Sequence, residues 1–203
     1  MPGTMRLRTL LPLAALVASA CAGKAAAPST PAKVEAAQPG APADFYPLAV
    51  GNAWTYRDES PGLRQPGATR TVRILERTKD GYFRDSDRGE LRADKDCVHD
   101  RSRRLLCAPI AKGNGWTSVV SVSSTEKYEI AGVGETVETP AGKFEGCVRV
   151  RAHNRAGPGT ELVLETAYAP GIGPVRIETF VLTGGNAVPQ FRAVLEKVKL
   201  DGR

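Results

Sequence analysis

Apolar and polar residues alternate along most of this chain, and a period of two is typical of β-strands buried on one face. The alternation is clear in residues 71–76 (TVRILE), 148–152 (VRVRA) and 161–165 (ELVLE), and it also marks residues 116–123 and 175–182. No segment shows a strong 3.6-residue period, which an amphipathic helix would require. The chain is therefore predicted to be all-β.

Short turn-forming clusters separate the predicted strands. They are Asp80-Gly81, Pro140-Ala141-Gly142, Gly157-Pro158-Gly159, Pro170-Gly171-Ile172-Gly173 and Gly184-Gly185-Asn186. About ten strands at this short spacing indicate an antiparallel sandwich or a curved, open or half-closed barrel. Residues 190–200 are apolar on both faces in places, so we expect this last strand to be covered on both sides.

The first 20 residues have the pattern of a bacterial lipoprotein signal peptide. Arg6 and Arg8 precede an apolar run at residues 10–17, and the small residues 18–20 precede Cys21. We expect the signal to be cut off and Cys21 to carry lipid such as palmitate, which places the protein in the cell envelope. Cleavage after residue 20 without acylation is the alternative. By resemblance to envelope lipoproteins, Ala22 rather than Asp after the cysteine implies the outer membrane.

The remaining chain divides by composition into a tether and a domain. Residues 21–44 are rich in Ala and Pro and contain no aromatic residue, so they are predicted to form a disordered tether after the lipidated cysteine. Residues 45–203 are long enough for a single antiparallel β domain with its own core. Loss of residues 1–20 leaves 26 basic and 22 acidic side chains, net +4 and interspersed. This balance does not indicate nucleic-acid binding, although it allows attraction to anionic lipid.

A nine-residue motif occurs twice and contains both tryptophans of the chain. P-L-A-V-G-N-A-W-T at residues 47–55 returns as P-I-A-K-G-N-G-W-T at residues 109–117, with six positions identical. Gly-Asn is typical of a tight turn, and the following Trp is expected to anchor a new strand in the core. The alternative is that Trp54 and Trp116 form a paired aromatic binding site, for example for a glycan.

The first copy extends to the pattern Y-x-P-L-x-x-G-N-x-W-x-Y, which resembles the opening of a group of uncharacterised bacterial envelope lipoproteins. TPAGKFEGCVRV at residues 139–150 and YAPGIGPV at residues 168–175 are also similar to segments of that group. The matched residues are turns and strand starts. The resemblance therefore implies the fold and the location, and it supplies no catalytic residues.

Three cysteines remain in the domain. Cys97 and Cys107 are close in sequence and are expected to form a disulfide in an oxidising compartment. Cys147 is left over, and a buried structural thiol is the simpler interpretation. A nucleophile activated by His153 is the alternative, because a catalytic cysteine needs a nearby base. Neither the cysteine nor the histidine spacing indicates a metal site.

The segment between the paired cysteines carries Arg101, Arg103 and Arg104, a small basic tip that an anionic partner such as a lipid head group could bind. The carboxylates show no acid–base spacing, no serine lies in a nucleophile elbow, and no cofactor motif is present. We therefore expect a non-catalytic binding or envelope-assembly role, with an envelope protein, a glycan or a lipid as the partner.

Two other functions remain open. The alternative to a binding module is a carrier of lipid or another hydrophobic ligand in a half-barrel cavity, and a large apolar cavity would favour it. An enzyme would require contact between Cys147 and His153 in a cleft.

Overall fold

The computed structural model describes residues 40–62 and 67–201. The predicted signal peptide, the predicted lipid site Cys21 and most of the predicted tether lie outside the described residues. A 3₁₀ turn at Pro42–Phe45 precedes twelve strands. They are β1 Ala53–Asp58, β2 Thr69–Arg77, β3 Phe83–Asp85, β4 Glu90–Ala93, β5 Cys97–His99, β6 Arg104–Cys107, β7 Gly115–Ser121, β8 Ser124–Thr139, β9 Gly142–Gly157, β10 Thr160–Ala169, β11 Gly173–Thr183 and β12 Asn186–Lys199.

All twelve strands belong to one antiparallel sheet that curves into a nearly closed barrel, in the order β6-β5-β4-β3-β2-β1-β12-β11-β10-β9-β8-β7. Each half of the chain is a six-stranded meander, and pairing of β1 with β12 joins the two halves. This architecture confirms the predicted all-β antiparallel fold and is the curved barrel rather than the sandwich, with twelve strands in the described residues rather than about ten. Strands β3 to β6 are only three or four residues long, so alternation could not reveal them individually.

Strands β8 to β12 form the long wall of the barrel, and their turns coincide with the predicted turn clusters. We call the end near the β10–β11 turn the closed end, and the end near the β9–β10 and β11–β12 turns the open end. The tip of the β8–β9 hairpin reaches β12 at the closed end, where Ala141 N–H donates to the Leu195 carbonyl at 3.1 Å. Residues 193–195 of β12 are consecutively buried, so the expected cover on both faces is found there and not along the whole of residues 190–200, since Phe191 is 39% exposed.

The two copies of the nine-residue motif adopt the same local structure. Asn52 Nδ2 donates to the Pro47 carbonyl at 2.7 Å, and Asn114 Nδ2 donates to the Pro109 carbonyl at 2.9 Å. The glycine before each asparagine has a positive φ, 95° for Gly51 and 88° for the second copy, a conformation that favours glycine. Each copy thus forms the turn that begins one of the two meanders.

The folded domain begins slightly before the predicted boundary at residue 45. Pro42 and Phe45 of the 3₁₀ turn are buried, and the Asp44 carbonyl accepts a 2.6 Å hydrogen bond from Gly171 N–H in the β10–β11 turn. Residues 42–44 therefore pack at the closed end of the barrel. In the part of the chain that the structure describes, no helix is long and apolar enough to cross a membrane.

Candidate functional site

A cavity of about 650 Å³ lies within the curved sheet, and Leu164 and Phe191 of its wall are partly exposed. Its volume falls within the range of small-molecule sites, and small barrels can enclose one ligand in this way. Aromatic and aliphatic side chains make up much of the wall. They are Tyr46, Tyr56, Ala68, Val72, Leu91, Leu105, Leu164, Tyr168, Pro174, Ile177, Phe191 and Ala193.

An aromatic cluster forms the deep end of the cavity, which is the end nearest the β10–β11 turn. Tyr46 contacts Trp54 edge-on, with ring centroids 5.3 Å apart, and lies 6.2 Å from the Tyr168 ring. The Trp54 indole N–H donates to the Ile172 carbonyl at 2.6 Å. Gly173 makes this close approach feasible, because a Cβ there would lie 2.9 Å from Trp54 Nε1. The motif tryptophan thus supports the deep end of the cavity.

Three tyrosines bring hydroxyl groups to this deep end. Burial raises the pKa of Tyr46, Tyr56 and Tyr168 well above the usual tyrosine range, so all three stay neutral. The Tyr56 hydroxyl donates to the Pro174 carbonyl at 3.0 Å. The three tyrosines therefore contribute polar, uncharged hydroxyl groups to the deep end of the cavity.

Charged groups line the side of the cavity formed by β1 to β4. Asp85 is 8% exposed, and its Oδ1 accepts hydrogen bonds from Asp87 N–H at 2.8 Å and Gly89 N–H at 2.7 Å. Arg70 forms a 2.8 Å ion pair with Asp87. Asp58 Oδ1 accepts a 2.8 Å hydrogen bond from Ser60 N–H. The carboxylates therefore also hold the turns that shape this wall.

An apolar lip continues from the cavity along β10 to β12 toward the open end. Leu164 and Phe191 both lie opposite Thr179, and in the next row Leu162 and Val188 both lie opposite Val181. Leu162, Leu164, Val188 and Phe191 are 38–51% exposed. We call these four residues the apolar lip. One face of three adjacent strands thus carries a continuous row of apolar side chains that begins at the solvent-exposed lip and ends inside the cavity.

The two tryptophans do not form an exposed pair. Trp54 is fully buried, which agrees with the expected role as a core anchor. Trp116 is half-buried, stacks on Tyr128 with ring centroids 5.5 Å apart, and donates its indole N–H to the Arg104 carbonyl at 2.6 Å. Both indole N–H groups are thus already bonded within the protein.

The three arginines of the basic tip each have partners in the fold. Arg101 contacts Asp80 and Glu90 and lies over the Tyr82 ring at 3.8 Å. The hydrogen bond with Arg101 lowers the pKa of the Asp80 carboxyl to about 2.

The other two arginines bind groups on β8 and β7. Arg103 Nε pairs with Glu126 at 3.0 Å, and Arg104 Nη2 donates to the Thr117 carbonyl at 2.6 Å. Each arginine is therefore held by its own partners, and Arg101, Arg103 and Arg104 also line one shared surface cavity of about 370 Å³.

The predicted Cys97–Cys107 disulfide is confirmed, and it links β5 to β6. Cys147 is free and fully buried, and burial raises the pKa of its thiol to about 12. His153 forms a 2.9 Å pair with Glu161. Because Cys147 and His153 are six residues apart on β9, about 20 Å along the strand, His153 does not contact Cys147 as the alternative of a histidine-activated cysteine requires.

Sequence reasoning did not identify the residues of the cavity. Tyr46, Asp85, Leu164 and Phe191 come from distant parts of the chain, and barrel closure brings them together. The pattern of apolar residues at 161–165 and 190–200 was the one signal available in the sequence. It placed Leu162, Leu164 and Phe191 on strand faces but did not show that these faces enclose a cavity. Across residues 40–62 and 67–201, no group of three or more His, Cys, Asp or Glu residues is placed to hold a metal ion.

The fold is shared with a solved structure. A Bacteroides fragilis protein, described as exported and as having a YmcC-like fold, matches with a TM-score of 0.50 and 17% sequence identity, over 77% of this chain and 99% of that one. A protein of Parabacteroides distasonis, described as a lipoprotein, has a TM-score of 0.43 and 14% identity, over 80% of this chain and 100% of that one. No protein-family model and no curated protein matches the sequence. The first similarity shows the fold alone.

Proposed function

We propose that this protein is a lipid-anchored component of the bacterial envelope that binds a hydrophobic ligand in its barrel cavity and carries it without catalysis. The single observation that carries this proposal is the 650 Å³ cavity with its largely apolar wall. A filled barrel would instead have favoured recognition through the outer surface, and the two tryptophans and three arginines offered for that role are engaged in the fold.

The apolar lip adds a second line of support. A monomeric soluble domain rarely leaves a contiguous apolar surface uncovered unless the surface has a function. Here the lip is continuous with the cavity wall, because Leu164 and Phe191 belong to both. A hydrophobic ligand could therefore move between the outside and the cavity along one uninterrupted apolar path.

The location follows from the N-terminal pattern. Acylation at Cys21 and export to the outer membrane would hold the domain near a source of hydrophobic molecules. The two proteins with similar structures are described as an exported protein and a lipoprotein, which agrees with this location. Metabolic labelling with a fatty-acid analogue should mark the wild-type protein and leave Cys21→Ser unlabelled.

Binding can be tested with the purified domain and a fluorescent apolar probe whose emission rises in a dry site. We expect saturable binding at one site per molecule. Leu164→Trp should weaken binding about tenfold or more, because the larger ring extends into the cavity entrance. Val119→Trp is the matched control, since Val119 is a strand residue that is 69% exposed and does not line the cavity.

The outcomes separate the hypotheses. Equal probe affinity for the wild type, Leu164→Trp and Val119→Trp would overturn the cavity as the binding site. Absence of binding by the wild type, with an intact thermal transition, would overturn the carrier function itself.

A further inference from the structure

We propose that the deep end of this cavity selects a ligand with an uncharged, hydroxyl-bearing head group and disfavours the same apolar chain with an anionic head. This inference rests on the proposed function and names the ligand class of that site. It places the polar head near Tyr46 and Asp85, with the apolar chain directed toward the apolar lip.

Tyr46 supplies the first polar group. The side chain lines the cavity and is only 9% exposed, so its hydroxyl is largely removed from water. No described residue forms a hydrogen bond with this hydroxyl, whereas the neighbouring Tyr56 hydroxyl is bonded to the Pro174 carbonyl. The hydroxyl therefore has both its donor and its acceptor available toward the cavity, where a ligand hydroxyl can bond to it.

Asp85 supplies the second polar group and lines the same cavity as Tyr46. Its Oδ1 accepts two backbone N–H groups of the β3–β4 turn. Its Oδ2 has no hydrogen-bond partner among the described residues, although the side chain lines the cavity. A carboxylate oxygen only accepts, so its complement is a donor such as a ligand hydroxyl.

The charge of the wall disfavours an anionic head. Three aspartates and one arginine lie among the described lining residues, a formal excess of two negative charges. The arginine, Arg70, is already paired with Asp87 at 2.8 Å and is strongly exposed. An anionic head placed beside Asp85 would meet a like charge in a site of reduced dielectric, where repulsion is stronger than in water.

The distribution of apolar surface sets the direction of binding. Tyr168 pairs with Pro174 beside the β10–β11 turn, and the Tyr56 hydroxyl bonds to the same proline, whereas Leu164 and Phe191 both pair with Thr179 farther toward the open end. When the head group of an amphiphile enters first, the head lies near the polar groups of the deep end and the apolar chain lies against the apolar lip. The opposite orientation would bury the apolar chain against the Asp85 carboxylate and expose the lip.

The test is displacement of the bound fluorescent probe by a monoacylglycerol and by a fatty acid with the same acyl chain, at neutral pH. We expect the monoacylglycerol to bind at least about tenfold more tightly. Tyr46→Phe should weaken the binding of the monoacylglycerol about three- to tenfold, which is the usual range for the loss of one hydrogen bond. Asp85→Asn should reduce the difference in affinity between the two ligands, because it removes the negative charge. The amide oxygen can still accept the two backbone N–H groups of the β3–β4 turn.

Tyr82→Phe is the control, since Tyr82 is outside the cavity and contacts Arg101. It should leave both affinities unchanged. Equal or tighter binding of the fatty acid by the wild type would overturn the inference while the carrier function stood. Unchanged discrimination in folded Tyr46→Phe and Asp85→Asn would also overturn it. Failure of both ligands and the probe to bind would count against the proposed function instead.

Discussion

The indole N–H of Trp116 donates to the backbone carbonyl of Arg104 at 2.6 Å, and this bond bridges the two ends of the twelve-stranded sheet. Arg104 lies on β6 and Trp116 on β7. Two further hydrogen bonds run from β6 to β7. The Arg104 guanidinium donates to the Thr117 carbonyl at 2.6 Å, and the Arg104 backbone N–H donates to Ser118 Oγ at 3.0 Å. Side chains therefore join these strands where other neighbours in the sheet share a backbone ladder.

The two junctions between the meanders are consequently unequal. β1 and β12 pair along six residues of β1, whereas β6 and β7 meet mainly through Trp116, Arg104 and Ser118. We call the β6–β7 junction the seam. With fewer backbone hydrogen bonds, the seam is expected to open at lower free energy than the rest of the barrel.

Trp116→Phe should loosen the seam with a small loss of global stability. The ring can still stack on Tyr128, but the Arg104 carbonyl loses its donor. The bond is exposed to water, so we expect a decrease of about 0.5–1 kcal/mol in the free energy of unfolding. Hydrogen exchange should accelerate in β6 and β7. Val119→Thr, an exposed change on β7, should leave both measurements unchanged.

Trp54→Phe should lower the free energy of unfolding more than the same change at Trp116. Trp54 is fully buried, and its loss leaves both a void and an unpaired buried carbonyl at Ile172. We expect a loss of about 2–4 kcal/mol for Phe and about 3–5 kcal/mol for Ala. Chemical denaturation measures both, and equal losses at the two tryptophans would contradict the different burial of the two motif copies.

Removal of the disulfide should destabilise the short strands β5 and β6. Cys97 and Cys107 are ten residues apart, and a loop of this size contributes about 2–3 kcal/mol through the unfolded chain. The double variant Cys97→Ser with Cys107→Ser should lose that amount in chemical denaturation. Cys147→Ala keeps the bridge and controls for the remaining thiol. Peptide mapping without reductant should find Cys97 linked to Cys107 in the wild type.

Local signals predicted the long hairpins well, and they failed where contacts were non-local. Gly184-Gly185 lies between two alternating segments, so the β11–β12 hairpin was readable from a few residues. Nothing near residue 53 indicates that β1 pairs with β12, because that choice depends on the curvature of the whole sheet. The cavity was missed for the same reason, since Tyr46 and Phe191 meet only after this closure.

Acid should weaken the contacts of the hairpin that carries Arg101. Hydrogen bonding with Arg101 lowers the pKa of Asp80 from 3.8 to about 2 and also lowers that of Glu90. A lowered pKa means that the folded state favours the charged form, so the stabilisation is present above the ordinary pKa and is lost as pH falls toward about 2. Stability of the wild type should therefore fall between about pH 4.5 and pH 2. Arg101→Gln should reduce this dependence, and an unchanged pH profile would contradict the assigned pairing.

The Cys147 thiol should be unreactive in the folded protein. Its side chain is fully buried, and burial raises the pKa of the thiol to about 12, so the nucleophilic thiolate is scarce at pH 8. A thiol reagent should label Cys147 only as fast as the domain unfolds, and denaturant should accelerate labelling in proportion to the unfolded fraction. Because the folded state favours the neutral thiol, stability should also fall as pH rises from about 9 toward 12. Cys147→Ala should remove both the labelling and this part of the alkaline dependence. Rapid labelling of the native protein would instead show an accessible thiolate and would restore Cys147 as a candidate nucleophile.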